Sequence, residues 1–294
     1  MKDQAFRLRE LVQKNIRPGE RENRPWPRTL AVASGKGGVG KTNMVLNLAL
    51  ALTRMGKQVI VFDADLGLAN VDVLLGLVPR YTLYEVVTGQ KTLEEIVVVG
   101  PLGLRIIPGG SGIQELANLS SVQRERLVSD ISGADLRADI MLVDTGAGIS
   151  NNVLGFLLAA DEVIVVLTPE PTSITDAYGL IKVLLQQESR KVIRLVVNRV
   201  SGEAEARRTA EKINLVARRF LALQPEFLGF VQEDARVHQA VCNQKPFVLE
   251  YPSCHAAGNL QQIALRLVGE TRTTTARSRG GGSFLQRLFK FWDG

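Results

Sequence analysis

The chain has 294 residues, 45% of them hydrophobic, and a net charge of +6, enough to bury one large core, while no window is apolar for long enough to cross a membrane. Residues 1–28 hold eight Lys/Arg against four acids and residues 266–294 hold six against two, so each end is +4 and the body between is −2; a near-neutral body argues against coating nucleic acid, and basic ends suit an acidic partner or an anionic membrane. With only Cys242, Cys254, His238 and His255 and no Cys-x-x-Cys, neither a disulfide framework nor a structural metal site is indicated, and the start MKDQAFRLRE lacks a signal peptide's apolar run, so the expected location is the cytosol.

In chain order, residues 1–28 form a segment of their own. Within Asp3–Gln13 (DQAFRLRELVQ), Ala5, Leu8 and Val12, with Phe6, recur at helical spacing among charges, a stripe too small to fold alone and suited to ordering on a partner. Pro25-Trp26-Pro27 ends the segment, because proline neither donates to a ladder nor continues a helix. From residue 29 to 270 short apolar runs alternate with segments of helical period, the pattern of an α/β fold with a mostly parallel sheet and helices on both faces. The predicted strands are Leu30–Ser34, Val59–Phe62, Leu104–Ile107, Ile140–Val143, Val163–Leu167, Val192–Val197 and Phe227–Val231. The predicted helices are Lys41–Met55, Val122–Ile131, Ile174–Gln187, Ala204–Leu221 and Ala256–Val268.

Ligands in such folds bind beyond the carboxyl ends of the strands. After the first strand comes ASGKGGVGKTN, Ala33–Asn43, in which Gly35 and Gly40-Lys41-Thr42 match G-x-x-x-x-G-K-[ST] between a strand and a helix. The backbone from Gly35 through Lys36, Gly37, Gly38, Val39 and Gly40 to Lys41, Thr42 and Asn43 is expected to cradle phosphates, with Lys41 neutralising β/γ charge and the Thr42 hydroxyl ligating Mg²⁺. Asp63 and Asp65 follow the next strand, and Asp144 follows IMLV. Asp144 suits the metal, Asp65 an attacking water and Asp63 the metal's outer shell, with a cap on the turn after the strand as the alternative for Asp63 and Asp65.

The second lysine of this loop, Lys36, finds its explanation in a likeness. KGGVGKT, DADLGLANVD and DTGAG together resemble the MinD/ParA family of deviant phosphate-loop ATPases, from about Thr29 to Val268. The resemblance implies that Lys36 reaches across a homodimer to the phosphates of the partner's ATP, so that ATP loading and assembly are coupled. Asn198 and Arg199 look like that family's base-contacting position, with a loop N-cap at Asn198 as the alternative, and Gln232–Lys245 with Pro246-Phe247 looks like its closing segment near the base.

The ends narrow the choice within the family. Residues 271–283, TRTTTARSRGGGS, read as a flexible basic linker. Beyond it FLQRLFKFW gathers Phe284, Leu285, Leu288, Phe289, Phe291 and Trp292 on one sector opposite Gln286, Arg287 and Lys290, the pattern of an interfacial membrane helix or of a helix docked on the protein itself. Asp3, Gln4, Ala5, Leu8 and Arg9 resemble the opening signature of the FlhG group of flagellar-number regulators, which implies stimulation of the FlhF GTPase. It also implies a membrane-bound ATP dimer, a cytosolic monomer, and contact with flagellar switch components or a transcriptional regulator. A division-site MinD would share the body and the terminal helix but not the DQAFRLR start, and a DNA-segregating ParA would carry its basic residues on the body.

Overall fold

The computed structural model describes residues 26–65, 71–117, 119, 127, 138–269 and 284–293. The stretch around Asp3, Gln4, Ala5, Leu8 and Arg9, nearly all of the helix expected over 122–131, and the linker 271–283 lie outside the described residues. One sheet contains β1 (Arg28–Ala33), β2 (Val59–Ala64), β3 (Val98–Val99), β4 (Arg105–Pro108), β5 (Ile140–Thr145), β6 (Glu162–Leu167), β7 (Val192–Val200) and β8 (Glu226–Gln232). Their order is β3-β4-β2-β5-β1-β6-β7-β8, and every neighbouring pair is parallel except β3 with β4.

The seven predicted strands are all present. They read clearly because a strand covered on both faces is apolar throughout: Ala31 and Ala33 face one core layer while Leu30 and Val32, one residue out of phase, face the other. The principal helices are α1 (Lys41–Arg54), α2 (Asn151–Ala159), α3 (Pro171–Gln187), α4 (Glu203–Leu221), α5 (Ala235–Cys242), α6 (His255–Gly269) and α7 (Phe284–Asp293). Helices α1 and α6 cover one face of the sheet, and α2, α3 and α4 cover the other.

At the amino ends of the strands a chain of charges stitches four of them together. Arg28 of β1 grips Glu162 of β6 with Nε and Nη2 at 2.6 and 2.9 Å. Arg194 of β7 donates to the same carboxylate at 2.7 Å and to Glu226 of β8 at 3.2 Å. The remaining Arg28 nitrogen, Nη1, donates to the carbonyl of Leu267 in the last turn of α6, which ties the end of that helix to the first strand.

One expectation changes here. Trp26–Arg28, assigned to the N-terminal segment, belongs to the body: Arg28 opens β1 and Trp26 packs on the core. Of the two readings of the terminal helix, the docked one is what the structure holds: α7 is seated on α2, with Phe284, Leu285, Leu288 and Phe289 buried and Phe291 and Trp292 partly so. The physical reason is a slot that no linear pattern announces. Phe156 of α2 stacks on Phe284 at 6.2 Å and meets Trp292 edge-on at 5.8 Å, while Gly155 leaves room for the indole where a Cβ would stand 2.8 Å from Trp292 Nε1. Among the described residues no helix is long and apolar enough to cross a membrane.

Candidate nucleotide site

β1 ends at Ala33 and α1 begins at Lys41, so the loop between them stands at the carboxyl edge of the sheet. Gly40, the residue before the helix, has φ 89°, a left-handed conformation that glycine takes without strain. No side chain caps α1 and no acid lies in its first turn. The first N–H groups of the helix are therefore available to an anion, and the helix dipole favours one there.

The two loop lysines meet opposite surroundings. Lys41 is buried, 7% exposed, and its Nζ donates to Asp144 Oδ1 at 3.0 Å, with Asp144 fully buried at the end of β5. Lys36 points outward, 42% exposed, where Nζ donates to Glu170 Oε2 at 3.0 Å and to Thr172 Oγ1 at 3.2 Å. Sequence reading did not single out Glu170 and Thr172. Their position directly after β6, at the carboxyl end of a central strand, was the available signal.

The three predicted carboxylates converge. Asp63 and Asp144 are paired across β2 and β5, and Asp65 lies against Gly146 in the loop after β5, its Oδ1 3.4 Å from the place a Cβ would occupy there. Burial, reinforced by the charge of Asp144, pushes the Asp63 carboxyl up to about 7, against hydrogen bonds donated by the backbone N–H groups of Asp65 and Val71. Burial also raises Asp144, opposed by Lys41 and the Thr42 hydroxyl. Asp144 Oδ2 is buried with no hydrogen-bond partner. An orphaned acceptor beside a threonine hydroxyl and a second carboxylate fits a hard divalent cation. Among the described residues no group of three or more Asp, Glu, His or Cys is arranged to hold a metal ion by itself, and Mg²⁺ prefers one or two carboxylates with phosphate and water to a closed protein cage.

Next to the loop lies a cavity of about 370 Å³ whose wall includes Gly40, Asn43, Asn198, Asp234, His238 and Phe247. Asn198 Nδ2 donates to the Val39 carbonyl at 2.7 Å, and its Oδ1 accepts from the Arg199 N–H at 2.9 Å. Its amide thus bridges β7 to the phosphate loop. The expected closing segment is α5 with the loop that follows: α5 is capped by Asp234, whose Oδ1 accepts from Arg236 N–H. The other carboxylate oxygen of Asp234 accepts from His255 N–H and ties the segment to α6.

A glycine-lined helix start, a buried lysine and acids at neighbouring strand ends define a phosphate-loop nucleotide-binding protein. The pattern of the CobQ/CobB/MinD/ParA nucleotide-binding domain matches residues 30–247, and the chain belongs to that family. It is 41% identical over 240 residues to the antiactivator FleN of Pseudomonas aeruginosa, covering 82% of this chain and 86% of that one. It is 35% identical over 294 residues to the flagellum site-determining protein YlxH of Helicobacter pylori, covering 99% of both. The MinD cell division protein of Aquifex aeolicus superposes with a TM-score of 0.65 at 29% identity, over 83% of this chain and 98% of that one.

Proposed function

We propose that this protein is an ATPase that dimerises on ATP, attaches to the cytoplasmic face of the membrane through α7, and sets the number and placement of flagella. The observation that carries the nucleotide part is the pair of lysines in one loop, Lys41 buried on Asp144 and Lys36 exposed on Glu170. That contrast supports a reading in which Lys41 serves its own chain's phosphates from inside the site. Lys36 sits on the rim and is held by an exposed ion pair worth at most about 1 kcal/mol, so it is free to turn toward a second copy of the chain.

Mg²⁺, when held by Thr42 and Asp144 with Asp63 behind them, would offset charge on the β/γ-phosphates. Lys41 binds those phosphates in exchange for its contact with Asp144. Asp65, beside Gly146, orients a water, and Asn198, Arg199 and the 370 Å³ cavity receive the adenosine end. Lys36 supplies a cation in trans, which links turnover to assembly. Hydrolysis then dismantles the dimer and returns α7 to its slot.

The flagellar part of the reading draws on the likeness to FleN and YlxH over most of the chain and on the DQAFRLR start. We assign Asp3, Gln4, Ala5, Leu8 and Arg9 to stimulation of the FlhF GTPase. The test is FlhF turnover with and without a peptide covering Met1–Arg17. Stimulation that disappears on changing Gln4 supports the assignment, whereas no stimulation favours the division-site reading that the likeness to MinD also allows.

A further inference from the structure

The groove that seats α7 has a second tenant. Trp26, two residues ahead of β1, packs on the same apolar cluster, and with Phe284 and Leu285 it walls a small apolar cavity of about 30 Å³ that also touches Phe62 and Met141. A second link joins the same two stretches. The Asp161 carboxylate accepts from Arg287 Nη2 of α7 at 2.9 Å through Oδ1 and from the backbone N–H of Thr29 at 2.8 Å through Oδ2. One side chain therefore holds the last helix and the first strand together.

This arrangement is imperfectly satisfied. The indole nitrogens of Trp26 and Trp292 and Nε of Arg287 are all buried without a hydrogen-bond partner, and each carries the desolvation cost of an unmade bond. Each of the two stretches excludes water from the other's apolar atoms, so removing one exposes what the other was covering.

We infer that Trp26 and α7 form one cooperative unit: the two ends of the chain hold each other on the body, and departure of either loosens the other. By reciprocity, a factor that α7 release contributes to freeing Trp26 is the same factor that pulling Trp26 away contributes to freeing α7. A partner that captures the residues ahead of β1 and takes Trp26 with it therefore favours the released helix. This goes beyond the function proposed above and stands without it, since it needs neither a lipid nor a particular partner.

The chain has only two tryptophans, both at this groove, so each can be read alone in the full-length protein. Trp292→Phe leaves Trp26 as the sole reporter, and Trp26→Phe leaves Trp292. In the Trp292→Phe chain, α7 is driven off by Leu288→Glu and separately by Phe289→Glu, each of which would bury a charge at a position now buried on the body. The expected result is a red-shifted Trp26 emission and several-fold stronger quenching by acrylamide in both variants. Trp26 emission that stays as protected as in the parent chain overturns the inference. In the reverse arm, Trp26→Ala should raise the undocked-to-docked ratio reported by Trp292 about tenfold, with Trp26→Phe as the conservative reference and the circular dichroism melt of the body as a check on folding. Unchanged quenching of Trp292 overturns it equally.

Discussion

Lys36 and Lys41 lie five residues apart and answer to different neighbours, which makes separable predictions for each. Lys41→Ala removes the proposed charge-assisted contact to phosphate and should weaken ATP binding about 10- to 100-fold by calorimetry. It also strands Asp144 in the core, a cost of about 3 kcal/mol that a thermal melt of the nucleotide-free chain would register. Lys36→Ala should leave ATP affinity of the monomer nearly unchanged and remove ATP-dependent dimerisation on gel filtration; a variant that still dimerises would end the role in trans. Asp63 yields a pH signature. Its carboxyl sits near 7 in the folded chain against the usual 3.8, so between those values the folded state keeps a proton that the unfolded state has lost. Stability of the nucleotide-free protein should therefore fall as pH rises from about 4 to 7. Asp63→Asn should flatten that slope in urea titrations while lowering ATP turnover, and a slope unchanged by the substitution would contradict the assigned burial of charge.

Among the elements, β1, β6 and β7 are joined at their amino ends by Glu162, which stands between Arg28 and Arg194 with all three side chains at most 15% exposed. Glu162→Ala leaves two shielded guanidinium groups without their shared carboxylate and should cost about 3 kcal/mol in a denaturant titration. ATP affinity of the folded fraction should not change, because the ladder lies at the end of the sheet opposite the phosphate loop. A loss under about 0.5 kcal/mol would mean that solvent compensates the pair. Such cross-strand partners were not legible in the sequence, where Arg28 and Glu162 are 134 residues apart, whereas the strands were, since burial on both faces writes an unbroken apolar run. β3 escaped notice because two residues, Val98 and Val99, carry no period. α2 escaped because NNVLGFLLA is apolar on nearly every side, being covered by the sheet below and α7 above. The site followed the same rule: Lys41, Thr42, Asp63, Asp65 and Asp144 were legible from their places after strands, but the Lys41–Asp144 and Lys36–Glu170 pairs arise only when separate strand ends meet.

For the whole molecule, the amphipathic face of α7 cannot serve the core and a membrane at once. With Phe284, Leu285, Leu288 and Phe289 buried on the body, the docked α7 itself offers lipid little beyond Arg287 and Lys290. Arg287 is itself engaged by Asp161. α2, which seats the helix, begins at Asn151, seven residues after the buried Asp144, so a change of partner at Asp144 has a short path to the slot. In the proposed cycle a released helix of ten residues would bind a bilayer only weakly, and two such helices on one dimer would supply the avidity that a single one lacks. Asp65→Ala, blocked in hydrolysis, should accumulate as an ATP dimer and sediment with vesicles containing anionic lipid. The same chain with ADP should stay in solution, and deletion of residues 284–294 should abolish sedimentation while leaving ATP binding intact. Rising salt should weaken attachment through the two cations without eliminating the apolar part. Equal sedimentation with ADP and ATP would show that lipid affinity is independent of the nucleotide site, and the docked helix would then be a structural member of the core instead of a membrane anchor held in reserve.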